Sequence, residues 1–430
     1  MNFGNRTLIN LVMTLNSNSP MIQIPRSLES NSFAFSKLTL NRFSASFFST
    51  SSRNQNTKFQ YSSFSNFLDT PIKTQSMDKY INQVFDKTIE RVDCQDSFNV
   101  FHCSFQNCQS ENIHGGGAIA VLNENNALIR IGYCSFSKCS CKLPQTSGGS
   151  ILITNGNGFT EIISNCFSEC SAGLRGDAFT ISHNDESSLK DTVLENLNVD
   201  NCGGSKLGYN CEMRARTMTM RVVNITNCQA KTCPTFRQLF NSKSSFKYVN
   251  LYGNKATASH IMEISTTDSD KVPEGFLDTF NIVKSVKRDG ESIIVFEGCD
   301  IIAFRLVFAS TSSKVIVECK SNKGSVQIYE SQSDRTFSST GLVQYGEGCQ
   351  VVEVPSTFEI SNVYDPGCYH AKVVEKIAYI SWESIITGVG ITAAFFLAAI
   401  VGVYLTRKYK KSVTDKIDQE VIGDLTALVN

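Results

Sequence analysis

The stretch "CSFQNCQSENIHGGGAIAV", residues 103–121, joins two closely spaced cysteines to three glycines and then to a strand-like apolar run. The same order returns along the chain. "CSFQNC" ends at Cys108, "CSFSKC" ends 31 residues later at Cys139, and "NCFSEC" ends after another 31 at Cys170. A repeat of this length is typical of solenoid proteins, so it guides the interpretation of the whole chain.

The repeat continues in weaker form to about residue 335. Its later units are "LNVDNC", "VNITNC", "VNLYGN", "FNIVKS", "FRLVFA" and "VQIYES". Each unit has an apolar residue three positions before its end: Phe105, Phe136, Phe167, Val199, Ile225, Leu251, Ile282, Leu306 and Ile328. In most units a loop then leads to a second apolar run, such as "SGGSILIT", and to a polar turn that precedes the next motif.

These features predict an all-β fold, a right-handed parallel β-helix. Each unit holds two or three short strands, and one coil alone cannot bury its inward face. Coils stacked about 4.8 Å apart create a continuous core, so we expect Phe105, Phe136 and Phe167 to lie over one another. The glycine pairs suit tight corners. A β-sandwich is the alternative, but its strands recur without a long-period motif.

The cysteines occupy repeated positions. All sixteen fall between Cys94 and Cys368. One column contains Cys108, Cys139, Cys170, Cys202 and Cys228; a second contains Cys103 and Cys134; and Cys299, Cys319 and Cys349 lie in or beside later turns. Stacked neighbours fall within the roughly 4.4–6.8 Å range of Cα separations in disulfides. These ten residues are disulfide candidates, and a buried ladder of free thiols is the alternative. Their spacing fits zinc poorly, so no metal or cofactor is predicted.

The runs "GGGAI" (115–119) and "GGSIL" (148–152), alternating with "FQNC", "FSKC" and "FSEC", resemble the repeats of polymorphic membrane proteins. Those repeats alternate a Gly-Gly-Ala-Ile-like motif with Phe-x-x-Asn, on chlamydial surfaces and in trichomonad parasites. The resemblance covers about 94–335; the chain departs from it by placing cysteine where asparagine is usual, and only Asn254 keeps the amide. It implies a Pmp-like parallel β-helix surface protein with adhesive function, and it supplies no catalytic residues.

A membrane segment is predicted near the carboxyl terminus. Ser384 to Thr406 runs 23 residues without a charge, which is enough for one transmembrane helix. Basic residues follow directly: Arg407, Lys408, Lys410 and Lys411. Because basic flanks favour the cytosol, we expect a single-pass type I protein at the plasma membrane with its amino terminus outside. An internal organelle membrane and a tail-anchored, reduced protein are the alternatives, and the tail could bind an adaptor.

The chain divides into five predicted segments. They are a leader with a candidate signal and an amino-terminal cap (1–93), the β-helix (94–335), a cap or stalk (336–383), the transmembrane helix (384–406) and a cytoplasmic tail (407–430). The leader's apolar run is interrupted by polar residues, and its Ser-rich, acid-poor composition also fits an organellar transit peptide. We favour secretory entry because confined, dense cysteine is typical of oxidising compartments.

Few residues indicate chemistry. Forty basic and forty acidic residues balance, so no nucleic-acid partner is expected. Asp177, Asp191 and Asp200 could serve a polysaccharide enzyme, but we interpret them as loop carboxylates. "RGD" at 175–177 falls on a repeat glycine, and we interpret it as coincidence rather than an integrin motif. Asn5 and Asn224 lie in N-glycosylation sequons.

The predicted function is that of a membrane-anchored β-helix surface protein. It would act as an adhesin or ligand-binding protein for host cells, matrix or glycans, and its ligand would be an extracellular protein or glycan. A membrane-tethered polysaccharide lyase or hydrolase on the same scaffold is the alternative, although no enzyme is expected.

Overall fold

Successive coils of the chain stack as a parallel β-solenoid of the right-handed type. The computed structural model describes residues 6–9, 12–14, 22–24, 31–50, 55–75, 97–111, 115–123, 128–155, 158–183, 191–204, 208–240, 242–266, 272–287, 292–309, 311, 315–320, 324–333, 349–351 and 405–408. The chain forms two compact units, Met1–Lys372 and Val373–Asn430. In the second unit only 405–408, which are helical, are described.

Each coil contributes strands to two long sheets. Sheet A has 20 described strands: β1 (Arg6–Ile9), β2 (Val12–Thr14), β4 (Asn31–Ser36), β5 (Thr39–Asn41), β7 (Gln55–Gln60), β8 (Ser63–Ser65), β10 (Ser97–Phe101), β11 (Ser104–Gln106), β14 (Leu128–Gly132), β15 (Ser135–Ser137), β18 (Phe159–Ile163), β19 (Cys166–Ser168), β21 (Asp191–Asp200), β23 (Thr217–Thr226), β26 (Ser244–Tyr252), β29 (Glu274–Val283), β32 (Asp300–Ala309), β34 (Val326–Tyr329), β35 (Gln332–Ser333) and β36 (Cys349–Val351). Sheet B has 11: β3 (Ile22–Ile24), β6 (Phe48–Thr50), β9 (Ile72–Gln75), β13 (Ile119–Asn123), β17 (Ile151–Asn155), β20 (Phe179–His183), β22 (Tyr209–Ala215), β25 (Cys233–Phe240), β28 (Met262–Ser265), β31 (Ser292–Glu297) and β33 (Val315–Cys319).

Short strands between the two long sheets complete the coil. They are β12 (Gln109–Ser110), β16 (Ser140–Cys141), β24 (Gln229–Ala230), β27 (Lys255–Ala256) and β30 (Val286–Lys287). One coil therefore runs from a sheet A strand through a corner to a second sheet A strand, and then through a short strand to sheet B. From β21 to β32 the two sheet A strands of a coil merge into one strand, and they are separate again as β34 and β35.

The core is built from columns of inward side chains, as predicted. The ring centroids of Phe105 and Phe136 lie 5.0 Å apart, and those of Phe136 and Phe167 lie 4.9 Å apart. The stack also continues upstream, because Phe64 lies 4.9 Å from Phe105. Val199 follows Phe167 in register. These rings are buried, so they contribute large apolar area to the core.

Two corners of each coil use left-handed backbone. The first corner column contains Lys37, Tyr61, His102, Tyr133, Ser164, Asn196, Val222, Tyr248, Thr279, Arg305 and Glu330, and the second contains Arg42, Asn66, Asn107, Lys138, Glu169, Asn201, Asn227 and Lys284. All have a positive φ near 50–60°. Asparagine tolerates this conformation well, whereas a β-branched residue such as Val222 does not.

The solenoid begins earlier than the predicted boundary at residue 94. β4 pairs with β7, and β7 pairs in register with β10. In these added coils Phe43 and Phe67 fill the inward position that Cys108 holds later, with ring centroids 4.9 Å apart. Because phenylalanine replaces the cysteine there, the cysteine pattern does not extend visibly into this part of the sequence. Residues 31–50 and 55–75 therefore form coils rather than a leader, and signal cleavage stays a prediction.

The last predicted units are out of register. The sequence pattern aligns Leu306 with Ile282, but the strands pair Ile282 with Phe308 and Phe280 with Leu306. Ile328 pairs with Ala303. Leu306 is thus displaced by two residues, which keeps the same side chains facing inward, so alternating apolar residues cannot distinguish the two registers. Ile328 is displaced by three residues from its predicted partner Leu306 and lies before the first corner, at Glu330, rather than after it.

The glycine pairs lie where neighbouring coils approach closely. A Cβ added to Gly149 would lie 2.0 Å from the carbonyl oxygen of Asp177, and one added to Gly117 would lie 2.1 Å from that of Gly149. No side chain fits at such distances. The glycines therefore permit the sheet B corner to stack, as the sequence predicts.

Candidate functional site

The main cysteine column is a ladder of free, buried thiols. Its members are Cys108, Cys139, Cys170, Cys202 and Cys228. The Sγ atom of Cys139 lies 3.6 Å from the carbonyl oxygens of Phe105 and Ser137, so both acceptors are within reach of its single S–H donor. The N–H of Cys170 donates to Sγ of Cys202 at 3.4 Å. The thiols thus pair backbone groups that the second corner leaves open.

The second column works in the same way and shows that thiol and amide are equivalent there. Cys103 and Cys134 are free and buried, and the N–H of Cys103 donates to Sγ of Cys134 at 3.4 Å. In the next coil Asn165 accepts the N–H of Cys134 at Oδ1 and donates from Nδ2 to the Ile131 carbonyl, both at 2.8 Å. A cysteine side chain in this column therefore accepts the same backbone hydrogen bond that Asn165 accepts in the next coil.

Burial keeps three of the described thiols protonated. It raises the pKa of Cys139 and of Cys202 well above the ordinary value, and hydrogen bonds from neighbouring thiols act in the same direction. Burial likewise raises the pKa of Cys211. The thiolate is the reactive form of cysteine, so these side chains stay protonated near neutral pH. Their role in the described structure is packing and hydrogen bonding.

The three remaining disulfide candidates, Cys299, Cys319 and Cys349, differ in their bonding state or position. Cys299 is a buried free thiol whose pKa burial raises to about 12. Cys319 is disulfide-bonded, and so is Cys166, which the sequence did not single out. Cys349 is the first residue of β36. Oxidation of the two ladders in the mature protein stays a prediction.

The two sequons fall in different situations. Asn5 lies outside the described residues. Asn224 is 7 % exposed, and its Nδ2 donates to Oδ1 of Asn198 at 2.9 Å while its Oδ1 accepts from Asn250 at 2.7 Å. Asn281 extends this asparagine ladder at 2.6 Å from Asn250. A glycan on Asn224 would have to displace the hydrogen bond to Asn198.

The Arg-Gly-Asp sequence is part of the folded corner. Arg175 forms an ion pair with Glu212 at 3.0 Å. Asp177 is fully buried, and its Oδ1 accepts the backbone N–H of Ala172 at 2.7 Å. An integrin would need the aspartate exposed, so the repeat interpretation of this stretch agrees with the structure. Asp191 and Asp200 lie at opposite ends of β21, so the three aspartates do not converge on one site.

The predicted membrane segment lies, apart from Leu405 and Thr406, outside the described residues. Among the residues that are described, no helix is long and apolar enough to cross a bilayer. Arg407 and Lys408 are helical and exposed, while Lys410 and Lys411 are outside the described set. The transmembrane helix therefore stays a prediction.

An elongated groove on the outward face of sheet A is the best candidate binding site. Its in-register column contains Thr219, Ser245, Phe276, Ile302 and Gln327, one residue from each of five successive coils. The cavity over this column has a volume of about 560 Å³, which lies in the usual range for ligand sites. We call it the A-face groove.

Apolar groups occupy the centre of the A-face groove. Ile302 is 44 % exposed, which is unusual for an isoleucine on a sheet. The Phe276 ring packs at 5.7 Å from Phe304, which stacks at 4.9 Å on Tyr329. The Nζ atom of Lys247 lies 5.5 Å from the Phe276 centroid, which is within cation–π range. An exposed apolar strip with polar edges is typical of a binding surface.

Charged groups at the A-face groove are largely paired. Lys243 and Glu274 form an exposed ion pair at 3.6 Å. Asp300 accepts hydrogen bonds at Oδ1 from the N–H and the hydroxyl of Ser325, at 2.7 and 2.8 Å. The sequence did not indicate this site, because neighbours in its column lie 25 or more residues apart in sequence and meet only when the coils stack in the observed register.

A second cluster lies on the outward face of sheet B, and we call it the B-face ladder. Glu212, Arg237 and Glu263 follow one another in register on β22, β25 and β28. Arg237 Nε lies 3.0 Å from Glu263 and its Nη1 lies 3.8 Å from Glu212. His260 Nε2 contacts the other Glu263 oxygen at 3.0 Å. Charges of opposite sign therefore alternate along the rod.

The two carboxyl groups of the B-face ladder have opposite pKa shifts. Burial raises the pKa of Glu212, and Arg175 and Arg237 offset this only in part. Burial would also raise the pKa of Glu263, but hydrogen bonds from His260 and the charge of Arg237 lower it to about 2. Glu212 Oε2 has no hydrogen-bond partner among the described residues. Because Arg237 lies between the carboxyl groups, we interpret the ladder as mainly structural.

The fold is a parallel β-solenoid with an open groove on the outward face of sheet A. Compared with models of known protein families and with curated proteins, the chain matches none of them. The likeness to polymorphic membrane protein repeats therefore rests on the residues quoted above, and the structure supports the fold that it implies.

Proposed function

We propose that the chain is a membrane-anchored β-solenoid of the cell surface that binds an extracellular protein or glycan through the A-face groove. The observation that carries the proposal is the groove itself, where Phe276 and the exposed Ile302 lie in register between polar side chains. Loops and faces carried on a rigid scaffold are common binding sites.

The topology of the proposal rests on separate observations. The uncharged segment 384–406 and the basic residues after it favour a helix with a cytosolic tail. Disulfide bonds at Cys166 and Cys319 suit an oxidising compartment on the other side. Intact cells expressing the full chain should therefore label at exposed Lys138 and Lys142 with a membrane-impermeant amine reagent. Lys410 should label only after permeabilisation; the reverse pattern would contradict the topology.

Binding is tested with the full chain in nanodiscs, offered to a panel of cultured cells and purified matrix proteins. Replacing Phe276 by alanine and Ile302 by serine should reduce binding about tenfold, since apolar contacts at the centre of an interface carry most of its energy. Tyr133→Ala is the matched control, because Tyr133 is 42 % exposed but lies outside the groove. Equal binding by the groove variant and the wild type would refute the assignment of this site.

A polysaccharide lyase or hydrolase is the second candidate function. The observation that favours it is the pair Glu212 and Glu263, whose pKa values shift in opposite directions as those of a general acid and a base do. The test is product release from neutral and acidic polymers, with and without calcium. Turnover that Glu212→Gln abolishes would support an enzyme, and no turnover on any polymer would count against it.

A further inference from the structure

We propose that the ligand of the A-face groove is a linear, uncharged oligosaccharide lying along the axis of the rod. This inference rests on the proposed function, because it names the ligand class of the same groove. It depends on three properties of the described residues: the length of the groove, the order of apolar and polar groups along it, and its charge.

The length of the groove favours a linear ligand. Thr219, Ser245, Phe276, Ile302 and Gln327 each come from a different coil and pair in register. Four strand spacings of about 4.8 Å give the column a length of about 19 Å. A chain-like molecule parallel to the rod can contact every member of this column, whereas a compact molecule would contact two or three.

The order of side chains matches the surface of a sugar ring. The centre is apolar, with Phe276 and Ile302, and the ends present hydroxyl groups (Thr219 and Ser245) and the amide of Gln327. Gln327 accepts a hydrogen bond at Oε1 from the hydroxyl of Tyr329 at 2.8 Å, which holds its amide in place. A hexose has a C–H face that packs on an apolar surface and a rim of hydroxyl groups that bond to such polar groups.

Charge argues against an acidic polymer. Lys243 is paired with Glu274 at 3.6 Å, and the carboxylate of Asp300 is balanced by Lys247, whose Nζ lies 5.5 Å from the Phe276 centroid. The formal charge at the groove is therefore zero, so uronic acid or sulfate groups find no excess of positive charge to bind them. A neutral chain needs no such charge, and Asp300 can accept hydrogen bonds from its hydroxyl groups.

Backbone pairing argues against an extended peptide. A bound peptide strand normally gains its affinity by main-chain hydrogen bonds to an open sheet edge. The A-face groove lies on the face of sheet A, where β26 and β29 already pair with neighbours on both sides. The N–H and C=O groups of a peptide would thus find few backbone partners there, whereas an oligosaccharide needs none.

The experiment uses the full chain in nanodiscs and calorimetric titration with linear oligosaccharides. The probes are chains of two to six glucose, mannose, galactose or N-acetylglucosamine units, with polyuronic acid chains of matched length. At least one neutral series should bind, and its affinity should rise up to about four rings and then level off, since one ring covers about one strand spacing. Phe276→Ala should weaken that binding about tenfold, and Tyr133→Ala should leave it unchanged.

Several outcomes would overturn the inference: tighter binding of polyuronic acids, full affinity for a single disaccharide, or no binding by any neutral chain. A parallel assay separates this inference from the proposed function. If groove-dependent binding to cells survives periodate treatment of their sugars but not protease treatment, the groove binds a protein, so the oligosaccharide inference fails while the proposed function stands. Gln327→Ala provides a second test in case the Phe276 variant does not fold, because it removes only a polar contact of the groove. It should also weaken binding of the neutral chain.

Discussion

Asn254 accepts the backbone N–H of Cys228 at Oδ1, 3.0 Å away, and donates from Nδ2 to the carbonyl of Ile225 at 2.8 Å. Asn254 stands in the column that cysteine fills in the five preceding cysteine-bearing coils, and it makes the same two kinds of contact. The corner before this position leaves buried backbone groups without strand partners. An inward thiol or amide satisfies them, and the amide forms the shorter bonds.

We expect Asn254→Ala to lower the free energy of unfolding by about 2–4 kcal/mol, because a buried N–H and a buried carbonyl would lose their partners. Asn254→Cys should recover part of that loss, since Cys202 accepts the corresponding backbone N–H and Cys228 donates to the corresponding carbonyl. Urea denaturation followed by circular dichroism measures both. If the cysteine variant is as unstable as the alanine variant, thiol and amide are not equivalent at this corner.

Cys139 and Cys202 should resist alkylation in the folded protein. Burial raises the pKa of Cys139 and Cys202, so the reactive thiolate is scarce and the side chains are inaccessible. We expect iodoacetamide to modify them only after denaturation, as read by peptide mass spectrometry without reducing agent. Cross-linked peptides joining members of one column would instead show that the predicted rung-to-rung disulfides form. Rapid labelling of native Cys139 would contradict the buried ladder.

Two glycine-to-alanine substitutions should differ sharply in how much stability they cost. Gly149→Ala places a Cβ 2.0 Å from a backbone carbonyl oxygen of the next coil, so we expect a loss of more than about 3 kcal/mol or failure to fold. Gly132→Ala is the matched control: its Cβ meets the ring of Phe101 at 2.7 Å, and that partly exposed ring can swing away. Thermal melting compares them. Similar melting temperatures would mean that coil spacing at the sheet B corner is adjustable.

Relief of backbone strain should stabilise the protein. Val222 has a φ of 54°, which costs a β-branched residue about 1–2 kcal/mol. Val222→Asn should therefore raise the free energy of unfolding by about 1 kcal/mol. Val286 is the control, since it is similarly exposed at 40 % but lies in a strand without positive φ, and asparagine there should be neutral or slightly destabilising. A gain at both positions would point to solubility rather than strain.

The two B-face carboxyl groups should affect stability with opposite sign. The pKa of Glu263 is lowered to about 2, so its charged form stabilises the fold above the ordinary glutamate pKa, and this is lost as pH falls towards 2. Glu263→Gln should cost about 2–3 kcal/mol at pH 7 and little near pH 2. The pKa of Glu212 is raised, so its charge disfavours the fold at neutral pH, and Glu212→Gln should be neutral or stabilising there.

Melting curves between pH 7 and pH 2 measure this pH dependence. Glu274→Gln serves as the control. The Glu274 side chain, which pairs with Lys243, is 67 % exposed, and exposed ion pairs contribute little to stability. Equal and parallel losses for Glu212→Gln and Glu263→Gln would show that the ladder behaves as one uniform charge network instead.

Much of the architecture could be predicted because the repeat is strongest where the coils are most alike. The three-ring stack from Phe105 to Phe167 follows from motif spacing alone. The earlier coils escaped prediction because Phe43 and Phe67 replace the cysteine that marks the motif. The register of the last coils could not be predicted because Leu306 and Phe308 are both apolar and both face inward. The local sequence pattern therefore does not distinguish the two registers.

Sequence by itself determined that the chain stacks in coils, which side chains point inward, and that cysteine recurs at one position, since these follow from the period of apolar residues and glycines. Only the tertiary structure decided that those cysteines are hydrogen-bonded thiols and that Phe276 and Ile302 meet on an open face. The physical reason is that both depend on contacts between coils 22 or more residues apart, where distance and hydrogen-bond geometry, rather than residue type, determine what two side chains can do together.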